Sequence, residues 1–368
     1  MRISTPTILA RRAASAAFAV VLLVLGVATP VHPAAAGLDW SQSGQRLAFW
    51  CDSGLYSVNI AQGWVVRLAS RAVAGVCSPD GIQVAWSDDD GTYVGRSDIA
   101  GGIRVAEAGR IAGWSPDSRW VLVESSPPGH APELYAARAD GKGLAPLAPN
   151  PAWDGDAACS PDGRWVAFVS GRDSARSDIW VVGWDGSHLT RVTSMFEAGE
   201  PAWSPDGATL AFSGRESGSS HRRIYCLGFR TRKLTCVTAG TEADYRAPRF
   251  VGPTYLLYRG AGCEMANLST GARRALPQGE LAPDGRRVAA LSGRPGSLDV
   301  MALKDGSRSS VDKGVEAFAW SPDGRWLAYL ALTNGPGGQP VRELCINTLD
   351  PKGIYILWSE GLRSPGPS

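Results

Sequence analysis

Trp203-Ser204-Pro205-Asp206-Gly207 is the complete form of a five-residue string that recurs along this chain. The string is complete again from Trp320 to Gly324, and it returns in altered form at six other places. Those six places begin at Trp40, Cys77, Trp114, Cys159, Phe250 and Leu281. Successive starts lie 37, 37, 45, 44, 47, 31 and 39 residues apart, close to the roughly 40 to 45 residues of a four-stranded propeller blade.

Each period is divided in the same way. An alternating apolar run follows the string, as in residues 165–169, and a second run follows a polar loop, as in residues 179–182. Asp185-Gly186 is a hairpin signal, and a short segment, residues 189–193, ends the unit. The chain is therefore predicted to be all-β, as a single β-propeller of four-stranded antiparallel blades. We predict eight blades, with seven as the alternative, and a ring that closes by packing of whole blades.

The string itself has a structural explanation. Pro presets the backbone at the first turn position, Asp can accept a hydrogen bond from its own turn, and Gly tolerates a positive φ. The Trp before them is expected to be buried between neighbouring blades. We therefore interpret these motifs as joints of the fold and not as active sites.

Composition agrees with an all-β fold and limits the partners. The 44 Gly and 25 Pro residues suit many tight turns between short strands, and the 14 Trp residues supply large flat side chains that fill the space between those strands. A net charge of +2 gives no field that would favour nucleic acid or an anionic membrane as the main partner.

The N-terminal segment has the features of an export signal. Arg2, Arg11 and Arg12 precede the apolar run 13–28, and the small residues 34–36 follow it. We predict a signal peptide over residues 1–36, a propeller over 37–361 and a disordered tail over 362–368. The alternative is a retained anchor, but the 16-residue run is shorter than the roughly 20 residues of a membrane-spanning helix. The expected location is periplasmic or extracellular, without a membrane span after cleavage.

The repeat resembles that of the TolB-like (WD40-like) β-propeller family. The resemblance is carried by residues 201–207, then Leu210-Ala211-Phe212-Ser213-Gly214-Arg215, then Ile224-Tyr225, and by the matching run 159–193. It implies a propeller, and it covers the blades only, from about Leu38 to Gly361, without the α/β domain that precedes the propeller in TolB. The repeat is also similar to that of prolyl oligopeptidase-type propellers, but we expect no hydrolase domain after the last blade.

No residue set in the sequence indicates catalysis. There is no Gly-x-Ser-x-Gly elbow, and the only histidines after the predicted signal, at positions 130, 188 and 221, belong to different units. Asp88-Asp89-Asp90-Gly91 lacks the spacing of a calcium loop and is interpreted as a turn. We therefore expect no catalytic residues, no metal and no cofactor.

One arrangement of charges suggests a binding rim. In four consecutive units the second strand ends beside an arginine, at positions 172, 215, 259 and 294, and long loops add further basic residues. Acidic residues precede the inner strands of these units, so opposite charges should interleave. The candidate ligand-binding residues are Arg172, Arg215, Arg259, Arg294, Arg222 and Arg223, accompanied by Arg176 and His221, and the acidic residues are Asp154, Asp156, Glu197, Glu200, Glu242 and Asp244.

Two interpretations of this rim stay open. Each arginine can be bound to a neighbouring carboxylate and tie the blades together. Alternatively, the guanidinium groups can hold an acidic ligand by two-point hydrogen bonding.

The chain contains seven cysteines, so at least one lacks an intrachain partner. Cys226 and Cys236 flank a predicted hairpin turn and are the candidate disulfide.

Two functional hypotheses follow. The first is an exported, monomeric, non-catalytic scaffold that binds a protein, a peptide or an acidic glycan of the cell envelope or exterior. The second is a propeller enzyme, a glycan lyase or hydrolase, with carboxylates such as Asp156 and Glu200 in the central channel.

Overall fold

The computed structural model describes residues 36–360, except 108, 127–130, 174–175, 294, 336 and 350–352. In this part of the chain all regular structure is β-strand, with 31 strands. Nearly all of the predicted signal peptide, the tail 362–368, His130 and Arg294 lie outside the described residues. Within the described part, no helix has the length and apolarity that crossing a bilayer would require.

The strands follow one another in groups of four, and each group begins just before or within a copy of the repeated string. The first four units contain β1 (Gly37–Trp40), β2 (Arg46–Cys51), β3 (Gly54–Asn59), β4 (Val65–Ala69), β5 (Ala74–Cys77), β6 (Gln83–Ser87), β7 (Thr92–Arg96), β8 (Ile103–Ala106), β9 (Arg110–Trp114), β10 (Trp120–Ser125), β11 (Glu133–Arg138), β12 (Leu144–Pro146), β13 (Asp154–Cys159), β14 (Trp165–Ser170), β15 (Asp178–Gly183) and β16 (Thr190–Arg191). The later units contain β17 (Glu197–Trp203), β18 (Thr209–Arg215), β19 (Arg223–Gly228), β20 (Leu234–Cys236), β21 (Arg246–Val251), β22 (Tyr255–Arg259), β23 (Cys263–Asn267), β24 (Arg273–Leu276), β25 (Glu280–Leu281), β26 (Arg287–Gly293), β27 (Gly296–Ala302), β28 (Arg308–Trp320), β29 (Leu327–Asn334), β30 (Pro340–Asn347) and β31 (Ile354–Ser359).

The sheets are antiparallel meanders, as the alternating pattern predicts. Six sheets have four strands each, in sequence order, and the seventh contains β25 to β31. Strand β28 joins two meanders within that last sheet, because its first part pairs with β27 and its second part with β29. The all-β propeller fold is thereby confirmed, and the count of eight blades stays a prediction.

The core lies between units. Among the described residues, the buried apolar side chains form eight clusters: seven join consecutive units of the repeat, and the eighth joins the first unit to the last. For example, Val181 of the fourth unit and Phe212 of the fifth belong to one cluster. Burial of both faces of each sheet explains why the strands are rich in Val, Leu, Ala and aromatic residues.

The ring closes by packing between the first and last units. Phe49 of β2 packs in one cluster with Leu344 of β30 and against the ring of Trp358, with ring centroids 5.0 Å apart. Within the described residues, β1 pairs only with β2 and β31 only with β30, so no strand is shared between the termini. The predicted mode of closure is confirmed.

The repeated string forms a hydrogen-bonded turn. The Ser204 hydroxyl donates to Asp206 Oδ1 at 2.5 Å, and the Gly207 N–H donates to the Ser204 carbonyl at 2.8 Å. Gly207 has a φ of +65°, which a glycine adopts without strain. Hydrogen bonds from Ser204 and the Ala208 N–H lower the pKa of Asp206. These bonds confirm that the polar part of the string serves the turn.

The Trp of the string ties each unit to the one before it. The Trp203 Nε1–H donates to the carbonyl of Ala158, one residue before the equivalent position of the preceding unit, at 3.1 Å. Three further tryptophans donate to the equivalent carbonyl in the preceding unit. They are Trp40 to Ala319, Trp114 to Val76 and Trp320 to Glu280. Here the inner strand means the first strand of each unit, so these bonds connect inner strands around the propeller axis.

Candidate functional site

The candidate site lies where the inner strands of the fourth, fifth and sixth units begin. Each of these strands contains a β-bulge, located between Gly155 and Ala158, between Gly199 and Ala202, and between Arg246 and Arg249. The extra residue has a positive φ in all three, namely +48° at Asp156, +55° at Glu200 and +51° at Ala247. Bulges redirect side chains, and they are frequent beside binding sites.

The bulge residues are linked from unit to unit. The Ala247 N–H donates to Glu200 Oε2 at 2.9 Å, and the Glu200 N–H donates in turn to the carboxyl of Asp156. Loss of hydration, reinforced by the charges of Glu200 and Glu124, raises the pKa of Asp156 to about 6. The structure thus brings together Asp156 and Glu200, the two carboxylates that the enzyme hypothesis singles out.

Arg172 is held within its own unit. Its guanidinium forms a 2.7 Å ion pair with Asp154, and its side chain is only 9% exposed. It also donates to the hydroxyl of Ser170 at 2.9 Å and lies 5.1 Å from the ring centroid of Trp180. With its donors used internally, Arg172 ties the inner strand β13 to the end of β14.

Arg215 and Arg222 share one carboxylate. Glu197 accepts from Arg215 at 3.1 and 3.2 Å and from Arg222 at 2.8 Å. The hydrogen bonds of Arg215, aided by the charge of Arg222, lower the pKa of Glu197. Asp244 also contributes, because its Oδ1 accepts the backbone N–H of Arg222 at 2.7 Å.

The remaining candidates have different surroundings. The Nε of Arg223 is buried without a hydrogen-bond partner, and its guanidinium acts electrostatically on Tyr225 and Cys236. Arg259 is exposed at the end of β22, directly opposite Arg246 on β21. Glu242 and His221 form none of the ion pairs described above, and Arg294 lies outside the described residues.

A cleft of about 570 Å³ opens beside these ion pairs, between the fourth and fifth units. Trp153 is 42% exposed there. Phe196 lies between two guanidinium groups, with that of Arg176 at 4.4 Å and that of Arg215 at 4.5 Å from its ring centroid. We call this the unit 4–5 cleft, and it is lined by Ala152, Trp153, Gly171, Arg176, Ser177, Phe196 and Glu197.

The cleft combines an exposed indole with several arginine side chains. Two arginines neutralise Glu197, and the guanidinium of Arg176 is stacked on an aromatic ring, where cation–π attraction orients it. Such a surface can stack on an apolar ring face and attract a carboxylate. Among the described residues, no group of three or more His, Cys, Asp or Glu side chains is arranged to hold a metal ion.

Sequence reasoning located the arginines but missed the aromatic residues. Trp153 and Phe196 lie outside the repeated string, in the segments that precede the inner strands. One feature of the sequence could have indicated these two aromatic residues. Each directly precedes an acidic residue that begins an inner strand, Asp154 or Glu197.

The hairpin of β19 and β20 does not have the geometry of the predicted disulfide. Cys226 is opposite Thr235, and Cys236 is opposite Tyr225. The two thiols therefore project from opposite faces of the sheet, because neighbouring positions along a strand alternate. Both thiols are free, and burial raises the pKa of Cys226 to about 12.

Comparison with known proteins agrees with this fold. Residues 77–244 match the TolB beta propeller domain. A 199-residue stretch, 48% of this chain, is 28% identical to the uncharacterized peptidase YuxL of Bacillus subtilis (strain 168). The match spans 29% of that relative's length.

Two solved structures are similar to this chain. A puromycin-hydrolyzing peptidase of Mycobacterium tuberculosis superposes with a TM-score of 0.50 and 15% identity, over 89% of this chain and 54% of that one. TolB from Acinetobacter baumannii gives a TM-score of 0.43 and 17% identity, over 77% of this chain and 78% of that one. The repeated string, the antiparallel units and the domain match together show that this chain is a β-propeller, with TolB-like repeats over residues 77–244.

Proposed function

We propose that this protein is an exported, non-catalytic propeller that binds an acidic peptide or glycan of the cell envelope or exterior through the unit 4–5 cleft. In this proposal residues 1–36 are a signal peptide and residues 37–361 are the binding domain, acting as a monomer. The observation that carries the proposal is the exposed Trp153 beside the stacked Arg176, Phe196 and Arg215.

The charges in the cleft support an acidic ligand. Glu197 is the carboxylate that lines the cleft, and it already accepts hydrogen bonds from two arginines. The guanidinium of Arg176 lies over the ring of Phe196 at the exposed edge of the cleft. A ligand with a carboxylate beside an apolar ring face would therefore meet matching groups, and the paired Arg172 and Arg215 would keep the cleft walls rigid.

The proposal is tested by titrating the protein with a galacturonic acid oligomer, with an acidic peptide and with a neutral oligosaccharide. We expect an acidic probe to bind more tightly than the neutral one. Trp153→Ala should weaken this binding about tenfold, the loss of one stacked aromatic contact of about 1.5 kcal/mol. Tyr255→Ala is the matched control, because Tyr255 is 40% exposed and lies outside the cleft. Equal affinity of both variants for every probe would contradict the proposal.

A second candidate function has a specific observation in its favour. A carboxyl with a pKa of about 6, next to two other carboxylates, suits a general acid in glycan cleavage. The same titrations discriminate the two functions if the products are examined. New chain ends that appear with the wild type and not with Asp156→Asn would favour the enzyme, whereas intact, bound oligomer would favour the scaffold.

A further inference from the structure

A second concentration of positive charge lies at the junction of the sixth and seventh units. Arg246 and Arg249 belong to the inner strand β21, and Arg259 ends the neighbouring strand β22. Arg246 is directly opposite Arg259, and Arg249 is opposite Leu257. We call Arg246, Arg249 and Arg259 the arginine triad.

The bulge at Ala247 turns the triad to one face of the sheet. Residues 246 and 249 would point to opposite faces of a regular strand, because they are three positions apart. The extra residue of the bulge changes this register, so that both are opposite residues of β22 that share a face, Arg259 and Leu257. That face packs on the seventh unit, since Leu257 belongs to the same cluster as Leu281 and Val288.

The triad has no carboxylate bound to it. Within the described part of the chain, none of its three side chains forms an ion pair or a hydrogen bond, in contrast to Arg172, Arg215 and Arg222. Arg246 acts electrostatically on Glu197, but that carboxylate is already occupied by two other arginines. Like charges directly opposite each other across a strand pair are destabilising, so the unliganded arrangement is unfavourable.

Glu280 is the carboxylate of the seventh unit that faces the triad. Arg249 and Arg259 both act on it electrostatically, yet its Oε2 is buried and accepts no hydrogen bond. Loss of hydration outweighs the two positive charges and raises the pKa of Glu280 to about 7. Glu280 therefore does not neutralise the triad by direct pairing.

We propose that the arginine triad is an oxyanion-binding site that takes a multivalent carboxylate or a phosphate group. Three guanidinium groups on one face offer planar donor forks, the geometry that holds such groups in two-point fashion. Both Arg246 and Arg259 are exposed, so a ligand can reach them. The site is in different units from the unit 4–5 cleft and does not rest on the proposed function.

The test is calorimetric titration of the full chain with inorganic phosphate and, separately, with citrate, at constant ionic strength set with sodium chloride. We expect saturable binding of at least one anion, and the tighter of the two identifies the preferred oxyanion. Arg259→Ala and Arg246→Ala should each weaken this binding about tenfold or more, because each removes charged hydrogen bonds. The control is Arg119→Ala, which removes an 81% exposed arginine from a turn of the third unit.

The thermal stability of the unliganded variants separates a binding role from a structural one. Removal of one unpaired like charge should leave the melting temperature of Arg259→Ala equal to or above that of the wild type at low salt. If Arg259→Ala melts at a lower temperature than the wild type and Arg246→Ala still binds the anion as the wild type does, the triad has a structural role and the proposal is wrong. Absence of phosphate and citrate binding to the wild type would also overturn the proposal.

Discussion

At the scale of single residues, the tryptophan of the repeated string connects neighbouring units by packing and by a hydrogen bond. Trp203 is 9% exposed, packs edge-on against Phe229 at 4.8 Å between ring centroids, and donates to the Ala158 carbonyl. Its indole therefore contributes both buried area and a directed bond between neighbouring units. A phenylalanine at this position would bury much of the same apolar area but could not donate the hydrogen bond.

Trp203→Phe should lower the free energy of unfolding by about 1–3 kcal/mol, because the partly buried Ala158 carbonyl loses its donor. Denaturant unfolding followed by circular dichroism measures the loss. Trp153→Phe is the comparison, since Trp153 is exposed and should change stability by less than about 0.5 kcal/mol. If both variants lose the same amount, the bond to Ala158 has no measurable role.

At the scale of elements, the bulged inner strands determine which side chains meet. Ala247 has a φ of +51° although it carries a Cβ, and its N–H is held by Glu200. The left-handed region costs a non-glycine residue roughly 1–2 kcal/mol, and glycine avoids that cost. The bulge is therefore maintained by its hydrogen bond and by the surrounding packing.

Ala247→Gly should raise the free energy of unfolding by about 0.5–1 kcal/mol, the relief of strain less the greater chain entropy of glycine. Ala208→Gly is the control and should lower the free energy of unfolding. Ala208 is not among the residues with positive φ, so glycine there adds only its entropic cost. Thermal denaturation of both variants decides the point. A destabilised Ala247→Gly would mean that the methyl group, and not the backbone angle, matters at this position.

The same elements show how far the sequence was informative. The string from Trp203 to Gly207 and the alternating runs predicted the turns, the strands and the pairing order, because these features depend on residues close together in the chain. The bulges were not predictable, since Asp156, Glu200 and Ala247 share no residue type and none is glycine. Their positions depend on bonds to the next unit, which no local pattern records.

For the candidate site, the sequence predicted where the arginines lie but not what they do. Glycine–arginine pairs located Arg172 and Arg215 at the correct end of their strands. Sequence could not decide between binding rim and structural tie, because this depends on whether a carboxylate lies within reach in three dimensions. The structure pairs Arg172 and Arg215 with Asp154 and Glu197, and it leaves Arg259 opposite Arg246.

At the scale of the whole molecule, the described residues close the ring by apolar packing, by the hydrogen bond from Trp40 to Ala319 and by one ionic contact. Arg342 of the last unit binds Glu316 of its own unit and Asp52 of the first, both at 2.7 Å. The Asp52 side chain is 71% exposed, so this bond contributes little beside the apolar cluster that holds Phe49, Leu344 and Trp358. Stability of the closed ring therefore depends mainly on buried area.

Three inner-strand carboxyls give the ring a characteristic pH dependence. Loss of hydration raises the pKa of Asp39 to about 7, that of Asp156 to about 6 and that of Glu280 to about 7. In the unfolded chain such groups titrate near pH 4. Folding therefore favours their protonated forms, so their contribution to stability is complete below about pH 4 and is lost as the pH rises through 6 to 7.

We expect Glu280→Gln to raise the melting temperature by about 1–3 °C at pH 8 and to change it little at pH 5, where Glu280 is already protonated in the fold. The amide keeps the shape of the acid and removes the ionised form that burial disfavours. Glu242→Gln is the matched control, because Glu242 is exposed. The measurement is scanning calorimetry of the three proteins at both pH values. A gain for Glu280→Gln that is equal at pH 5 and pH 8 would show that ionisation of Glu280 does not oppose folding, and a loss at pH 8 would show that the charges of Arg249 and Arg259 stabilise its carboxylate.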